Sequence, residues 1–129
     1  MSRLFVDCDD TLILWADEPV GELIVREDYD FNLPLISDIA CFINFHTDYE
    51  LVVWSGGGID YAARWAEKCF HNVPYLILPK DMRLPAGADI CVDDAEVSPR
   101  DKRVRVLTSL MICPLCRAEE LQKNPAQRG

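Results

Sequence analysis

Three carboxylates fall within four positions, at Asp7, Asp9 and Asp10, directly after the apolar run Leu4-Phe5-Val6. An apolar run followed at once by aspartate reads as a buried strand whose carboxyl end opens into a site. In an extended chain, residues two apart point the same way, so Asp7 and Asp9 are expected to address one point with Cys8 turned away. Two like charges held close repel, which is tolerated mainly when a cation or a shared proton lies between them. Oxygen donors of this kind suit Mg²⁺, a hard ion that takes one or two carboxylates and completes its shell with water and phosphate. By itself, Asp-x-Asp reads equally well as a solvated acidic turn.

Later apolar runs also end in polar groups. Leu51-Val52-Val53-Trp54 is followed by Ser55 and then Gly56, Gly57 and Gly58. Tyr75-Leu76-Ile77-Leu78 leads through Pro79 to Lys80, and Ala88 to Val92 runs into Asp93-Asp94. In an open parallel sheet the carboxyl ends of all strands lie on one edge, where ligands bind. Four polar clusters are therefore expected to converge on one crevice. Singly, each has an ordinary explanation: Ser55 as a helix cap, the glycines as a turn, Lys80 as a loop lysine, Asp93-Asp94 as an acidic turn.

Taken in order, these clusters resemble the four motifs of the haloacid dehalogenase (HAD) superfamily of phosphohydrolases. Asp7-Cys8-Asp9-Asp10-Thr11 resembles the first, Asp-x-Asp-x-Thr motif; Ser55 resembles the second, Lys80 the third, and Ile90-Cys91-Val92-Asp93-Asp94 the fourth. The likeness spans about residues 3–107 and implies a Mg²⁺-dependent phosphomonoester hydrolase. It implies Asp7 as the nucleophile that forms an aspartyl-phosphate. Asp9 would be the acid that protonates the leaving oxygen and then the base that activates water. Mg²⁺ would be held by Asp7, by Asp93 and by the backbone carbonyl of Asp9, with Asp94 as ligand or support. The Ser55 hydroxyl and Gly56 N–H, at a helix N-terminus, would donate to phosphoryl oxygens. Lys80 would offset the charge of Asp7 and the phosphoryl group; Lys68, inside a helix, is the weaker lysine candidate. Position 10, often glycine in the family, is Asp10 here and adds a charge at the site entrance.

The elements that must hold these residues follow from periodicity and punctuation. Residues 3–7 read as the first strand. Residues 12–31 read as a small flap hairpin, with two short apolar segments around a turn in Asp17-Glu18-Pro19-Val20-Gly21. Asn32 is a good N-cap, with Pro34 in the first turn and Leu35, Ile39, Phe42 and Ile43 at helical spacing, for a helix ending near His46. A strand over residues 50–54 precedes a second helix with Ile59, Ala62, Ala63, Ala66, Cys69 and Phe70 on one stripe. Strands over residues 75–78, 88–92 and 104–107 follow, the first two joined by too few residues for a full crossover helix. Alternating strands and helices predict an α/β fold, a Rossmann-like three-layer sandwich around a central parallel sheet. Only 43 residues separate the first and second motifs, so there is no room for a large cap domain. Trp15 and Tyr29, in the flap, are placed either to stack on a substrate ring or to bury against the sheet.

At 129 residues the chain fits one domain, read here as residues 1–112 with a C-terminal tail at 113–129. The absence of a membrane-length apolar stretch and of a signal-peptide pattern predicts a cytoplasmic protein with no membrane partner, whose six cysteines stay reduced. Cys113-Pro114-Leu115-Cys116 has zinc-ligand spacing but supplies only half of a four-ligand set. His46 and His71 fall at predicted helix C-termini, where a cation meets the negative end of the dipole.

The net charge of −9 is uneven: residues 1–97 carry 6 Lys+Arg against 19 Asp+Glu, and residues 98–129 carry 7 against 3. An acidic body argues against nonspecific nucleic-acid binding through a basic face. Uncapped members of the family are associated with bulky substrates such as nucleic-acid ends or phosphoproteins, or with shielding by oligomerisation. The uncapped site and the basic segment Arg100 to Arg105 favour a phosphorylated nucleic-acid end; the acidic body favours a small metabolite, a nucleotide or sugar phosphate. A response-regulator receiver also uses clustered aspartates, a hydroxyl and a lysine. It should carry its phosphoacceptor Asp on an interior strand, but the candidate strand ends in Ser55. A catalytically silent HAD-like binding module is the rival of another class, disfavoured by the intact Asp7 and Asp9 pair.

Overall fold

The computed structural model describes residues 2–80, 89–94 and 105–108. The tail at 113–129, with Cys113 and Cys116, and most of the basic segment from Arg100 lie outside them. Among the described residues, seven strands and two helices follow in the order β1 (Ser2–Val6), β2 (Ile13–Val20), β3 (Leu23–Phe31), α1 (Leu33–Phe45), β4 (Tyr49–Val53), α2 (Ile59–Cys69), β5 (Leu76–Ile77), β6 (Ile90–Asp93) and β7 (Arg105–Thr108). The architecture is α/β. Five strands form one sheet in the order β5-β4-β1-β6-β7, every adjacent pair parallel, while β2 and β3 form a separate antiparallel ribbon.

The sheet's order is compatible with a Rossmann-like fold. Counting only its own strands along the chain, it reads third, second, first, fourth, fifth, the doubly wound order, whose reversal falls between β1 and β6. The steps from β1 to β4 and from β4 to β5 go the same way across the sheet, so right-handed connections put both helices on one face. Packing agrees. Leu4 and Val6 of β1, Leu51 and Val53 of β4 and Ile90 and Val92 of β6 share one core with Leu35, Ile39, Phe42 and Ile43 of α1 and Ala62, Trp65, Ala66 and Cys69 of α2. The alternate residues Phe5, Val52, Trp54 and Cys91 are buried in a second cluster on the opposite face. The outer layer expected over that second face lies outside the described residues.

Local chemistry accounts for most boundaries. Asn32 caps α1, its Oδ1 accepting from Leu35 N–H at 3.4 Å, with Pro34 in the first turn. Its amide nitrogen also donates to the Thr11 carbonyl at 3.0 Å, so one residue fixes both the helix start and the loop after β1. The ribbon is longer than its sequence pattern suggests. Both strands run past Pro19, which pairs with Ile24, and the turn is only Gly21-Glu22, with Gly21 at φ +66°. An unpaired ribbon edge tolerates a proline that an interior strand would not. Ile59, expected on the buried stripe of α2, is exposed, and Trp65 takes that role. Among the described residues no helix is long and apolar enough to cross a membrane.

Candidate active site

β1 lies at the centre of the sheet, and its ladder continues one step past Val6: Asp7 N–H donates to the Val92 carbonyl at 3.0 Å, and Trp54 N–H to the Val6 carbonyl at 3.1 Å. Asp7 thereby leaves the sheet between the ends of β4 and β6, at the reversal of strand order. Asp93 is the last residue of β6. Both residues are buried, 5% and 2% exposed. Carboxylate oxygens of Asp7, Asp93 and Asp94 all lie within 4.8 Å of one another.

Lys80 sits between the two buried aspartates, its Nζ 3.0 Å from Asp7 Oδ1 and 2.7 Å from Asp93 Oδ2. Burial opposes the ammonium charge, but the bonds to Asp93 and Asp7 outweigh it and hold the Lys80 pKa above its usual value. The Thr11 hydroxyl donates to Asp7 Oδ2 at 3.4 Å, a weak bond from a fully buried group. Burial first, and then the charge of Asp93, push the Asp7 carboxyl up to about 7 in spite of Lys80. Asp94 is also raised, by burial and by its hydrogen bond with Asp93. Three crowded carboxylates against one ammonium leave an excess of negative charge, and their donor set is all oxygen. This fits a hard divalent cation such as Mg²⁺, which Asp7, Asp93 and Asp94 could hold.

Asp9 stands apart from this group. The chain does not stay extended after Asp7: Thr11 N–H and Ile13 N–H both return to the Cys8 carbonyl, and Asp10 adopts φ +58°. The turn buries Cys8, whose thiol donates to the Trp54 carbonyl at 3.7 Å, and directs the Asp9 carboxylate towards the ribbon and α2. There Asp9 Oδ1 accepts from Trp15 Nε1 at 2.9 Å and from the Tyr61 hydroxyl. Burial and the bond to Asp9 push the Tyr61 phenol up to about 12, so it remains a donor at all ordinary pH. Among the described residues nothing bonds Asp9 Oδ2. Asp10, at the left-handed position that glycine adopts most freely, pairs through Oδ2 with Arg26 of the ribbon at 3.1 Å.

Ser55 is buried but does not cap α2, which begins four residues later behind Gly58. Its side chain heads a tight turn instead, Oγ accepting from Gly57 N–H at 3.0 Å and its carbonyl accepting from Gly58 N–H at 3.1 Å. Among the described residues Gly56 N–H has no partner in this turn. Gly57 must lack a side chain, because a Cβ there would lie 2.9 Å from Tyr61 Cδ1.

The sequence reading did not single out Tyr61 or Trp65, gave Thr11 no role beyond its place in the first motif, and read Asn32 only as a helix cap. Tyr61 and Trp65 sit four apart on α2, a spacing that marks a shared face, but nothing local announces that Asp9 is Tyr61's partner. Trp15 packs against Trp65, ring centroids 6.1 Å apart, and Tyr29 does so at 5.1 Å. The flap aromatics are thus committed to α2, although Tyr29 keeps an exposed edge. Lys68 lies 4.9 Å over the Trp65 ring and takes no part in the carboxylate cluster. The four described cysteines are free, and burial pushes Cys8 and Cys91 up to about 12 and Cys69 to about 11, which makes them poor nucleophiles. Comparison with protein-family models, with curated proteins and with solved structures finds no match to this chain.

Proposed function

We propose that the protein is a Mg²⁺-dependent phosphomonoester hydrolase that works through an aspartyl-phosphate on Asp7, on a Rossmann-like, three-layer, capless scaffold similar to the HAD superfamily. One observation carries the reading: a buried aspartate at the end of the central strand shares a lysine ammonium with a second buried aspartate on the neighbouring strand. The reversal of strand order at that point supports it, because ligands of open α/β sheets bind there.

Asp7 is then the nucleophile: one of its oxygens bonds to phosphorus as the bond from phosphorus to the leaving oxygen breaks. Asp9 gives its proton to that leaving oxygen through Oδ2, Oδ1 being anchored by Trp15 and Tyr61. Water next attacks phosphorus and gives a proton to Asp9, and the bond to Asp7 breaks, which frees inorganic phosphate. Lys80 neutralises Asp7 so that an anionic substrate can approach, while the Ser55 hydroxyl and Gly56 N–H receive phosphoryl oxygens. A bound Mg²⁺ would supply further neutralisation of the transferring group. Phosphorylated nucleic-acid ends and small phosphorylated metabolites are both substrates of the right chemistry.

A silent phosphate-binding module is the second reading, favoured by the two donors that give Asp9 a structural use. Hydrolysis of p-nitrophenyl phosphate separates the two. Turnover that needs Mg²⁺, stops with EDTA and disappears in Asp7→Asn supports the hydrolase. Mg²⁺ binding by calorimetry without turnover of any phosphomonoester, oligonucleotide ends included, makes the binding module the better reading.

A further inference from the structure

Tyr61, Arg64, Trp65 and Lys68 recur at three- and four-residue spacing along α2, one stripe that starts at the site and runs away from it. They line a cleft of ≈ 120 Å³, the space of about four liquid waters. Its inner end is Tyr61, the donor to Asp9. Its outer end holds two cations, Arg64 and Lys68, in a body where residues 1–97 carry only 6 Lys+Arg against 19 Asp+Glu. Among the described residues neither cation forms an ion pair with a carboxylate; Lys68 instead rests on the Trp65 ring. Trp65 is fixed in turn by Trp15, Tyr29, Phe31 and Tyr61, so the floor of the cleft is rigid.

Direction decides what such a cleft is for. Asp7 and Asp93 mark where the transferring phosphoryl group sits, whereas Asp9 marks the leaving oxygen and is tied to the root of this stripe. The cleft therefore lies on the leaving-group side, and its chemistry is that of an anion site: a guanidinium fork and an ammonium above an aromatic floor.

We propose that the Arg64–Lys68 cleft is a leaving-group subsite for a second phosphate, so that the substrates are phosphomonoesters whose alcohol carries another phosphate or phosphodiester. This rests on the hydrolase reading for its direction, with Asp9 beside the leaving oxygen. The shared chemistry has two sources, a 3′-phosphorylated nucleic-acid end and a small bisphosphorylated metabolite.

Binding is measured first, by calorimetry on Asp7→Asn with Mg²⁺, for nucleoside 3′,5′-bisphosphate, nucleoside 3′-monophosphate, sugar bisphosphate and a 3′-phosphorylated oligonucleotide. The second phosphate is expected to tighten binding at least tenfold. Arg64→Gln with Lys68→Met, the methionine keeping an apolar stem over Trp65, should remove most of that gain and leave the monophosphate within threefold. Arg64→Gln alone, on an exposed position, serves if the pair does not fold. The oligonucleotide and the sugar bisphosphate, compared with each other, identify the source. Equal affinity for bisphosphate and monophosphate, or a gain that survives both substitutions, overturns the subsite. The kcat/KM ratio of the same pair in the unsubstituted protein then tests the hydrolase separately: discrimination in binding with no turnover removes the hydrolase and leaves an anion cleft.

Discussion

The Tyr61 hydroxyl donates to Asp9 Oδ1 across 52 residues of sequence, and so couples helix α2 to the loop that follows the central strand. A hydrogen bond to a charged acceptor is worth about 1.5–3 kcal/mol when partly buried. Tyr61→Phe keeps the ring and removes only that donor, with Trp15 still holding the same oxygen. We expect a loss of ~1 kcal/mol in denaturant unfolding. On the proposed chemistry, kcat should fall roughly three- to tenfold through the misplaced acid, mostly for substrates with poor leaving groups.

Lys80→Met leaves two buried carboxylates facing each other. Removing one partner of a buried ionic cluster costs about 3 kcal/mol, which appears as a lower melting temperature in EDTA. Added Mg²⁺ should raise that temperature more in the variant than in the parent, because the ion meets a larger uncompensated charge. An equal rise in both would mean that Lys80 and the cation answer to different carboxylates.

Asp7, held near 7 by burial and by Asp93, ties stability to pH in the metal-free protein. A carboxyl raised in the folded state favours folding while it is protonated. That contribution is fully present below its ordinary value of 3.8 and is lost as pH rises through about 7. The chain in EDTA should therefore unfold more easily at pH 8 than at pH 5, by up to ~3 kcal/mol from this group, and Asp7→Asn should flatten the slope. Mg²⁺ affinity runs the other way: it should rise from pH 6 to pH 8, and binding at pH 6 should release a proton, measurable by calorimetry in buffers of different ionisation enthalpy.

The glycine turn offers a paired test. Gly57→Ala forces a methyl into the Tyr61 ring and should cost about 1–3 kcal/mol. A Cβ at Gly56 meets nothing within 4 Å, so Gly56→Ala should leave the melting temperature within a degree or two. Equal damage from both would mean that the turn itself, and not its contact with Tyr61, is the sensitive element.

Strand ends were the most legible part of the sequence. An apolar run that stops at a carboxylate marks where a buried strand reaches solvent, and Asp7 and Asp93 could be read that way without knowing the pairing. Lys80 was readable only by position, since no local pattern tells a lysine bridging two aspartates from one in a loop. Asp9 misled the geometry: period-two reasoning assumes an extended chain, and the turn through Asp10 at φ +58° breaks it. Pro19 misled the ribbon, because a proline that would end an interior strand is harmless where no further strand pairs. On α2 the small residues Ala62 and Ala66 did mark the core face. Trp65 was missed because its burial comes from the ribbon, a partner that helical periodicity does not reveal.

The central position of β1 also has a consequence in time. Asp7 leaves the ribosome 86 residues before Asp93, an interval of about 4–17 s at ordinary synthesis rates. For that time Leu4 and Val6, fully buried in the finished sheet, can have β4 on one side but not β6 on the other. The nascent chain thus carries a half-built sheet with an open parallel edge and an aspartate lacking both Lys80 and Asp93. No form cut short before Asp93 can hold the carboxylate cluster, and arrest of synthesis before β6 would leave an aggregation-prone edge rather than a weakly active fragment.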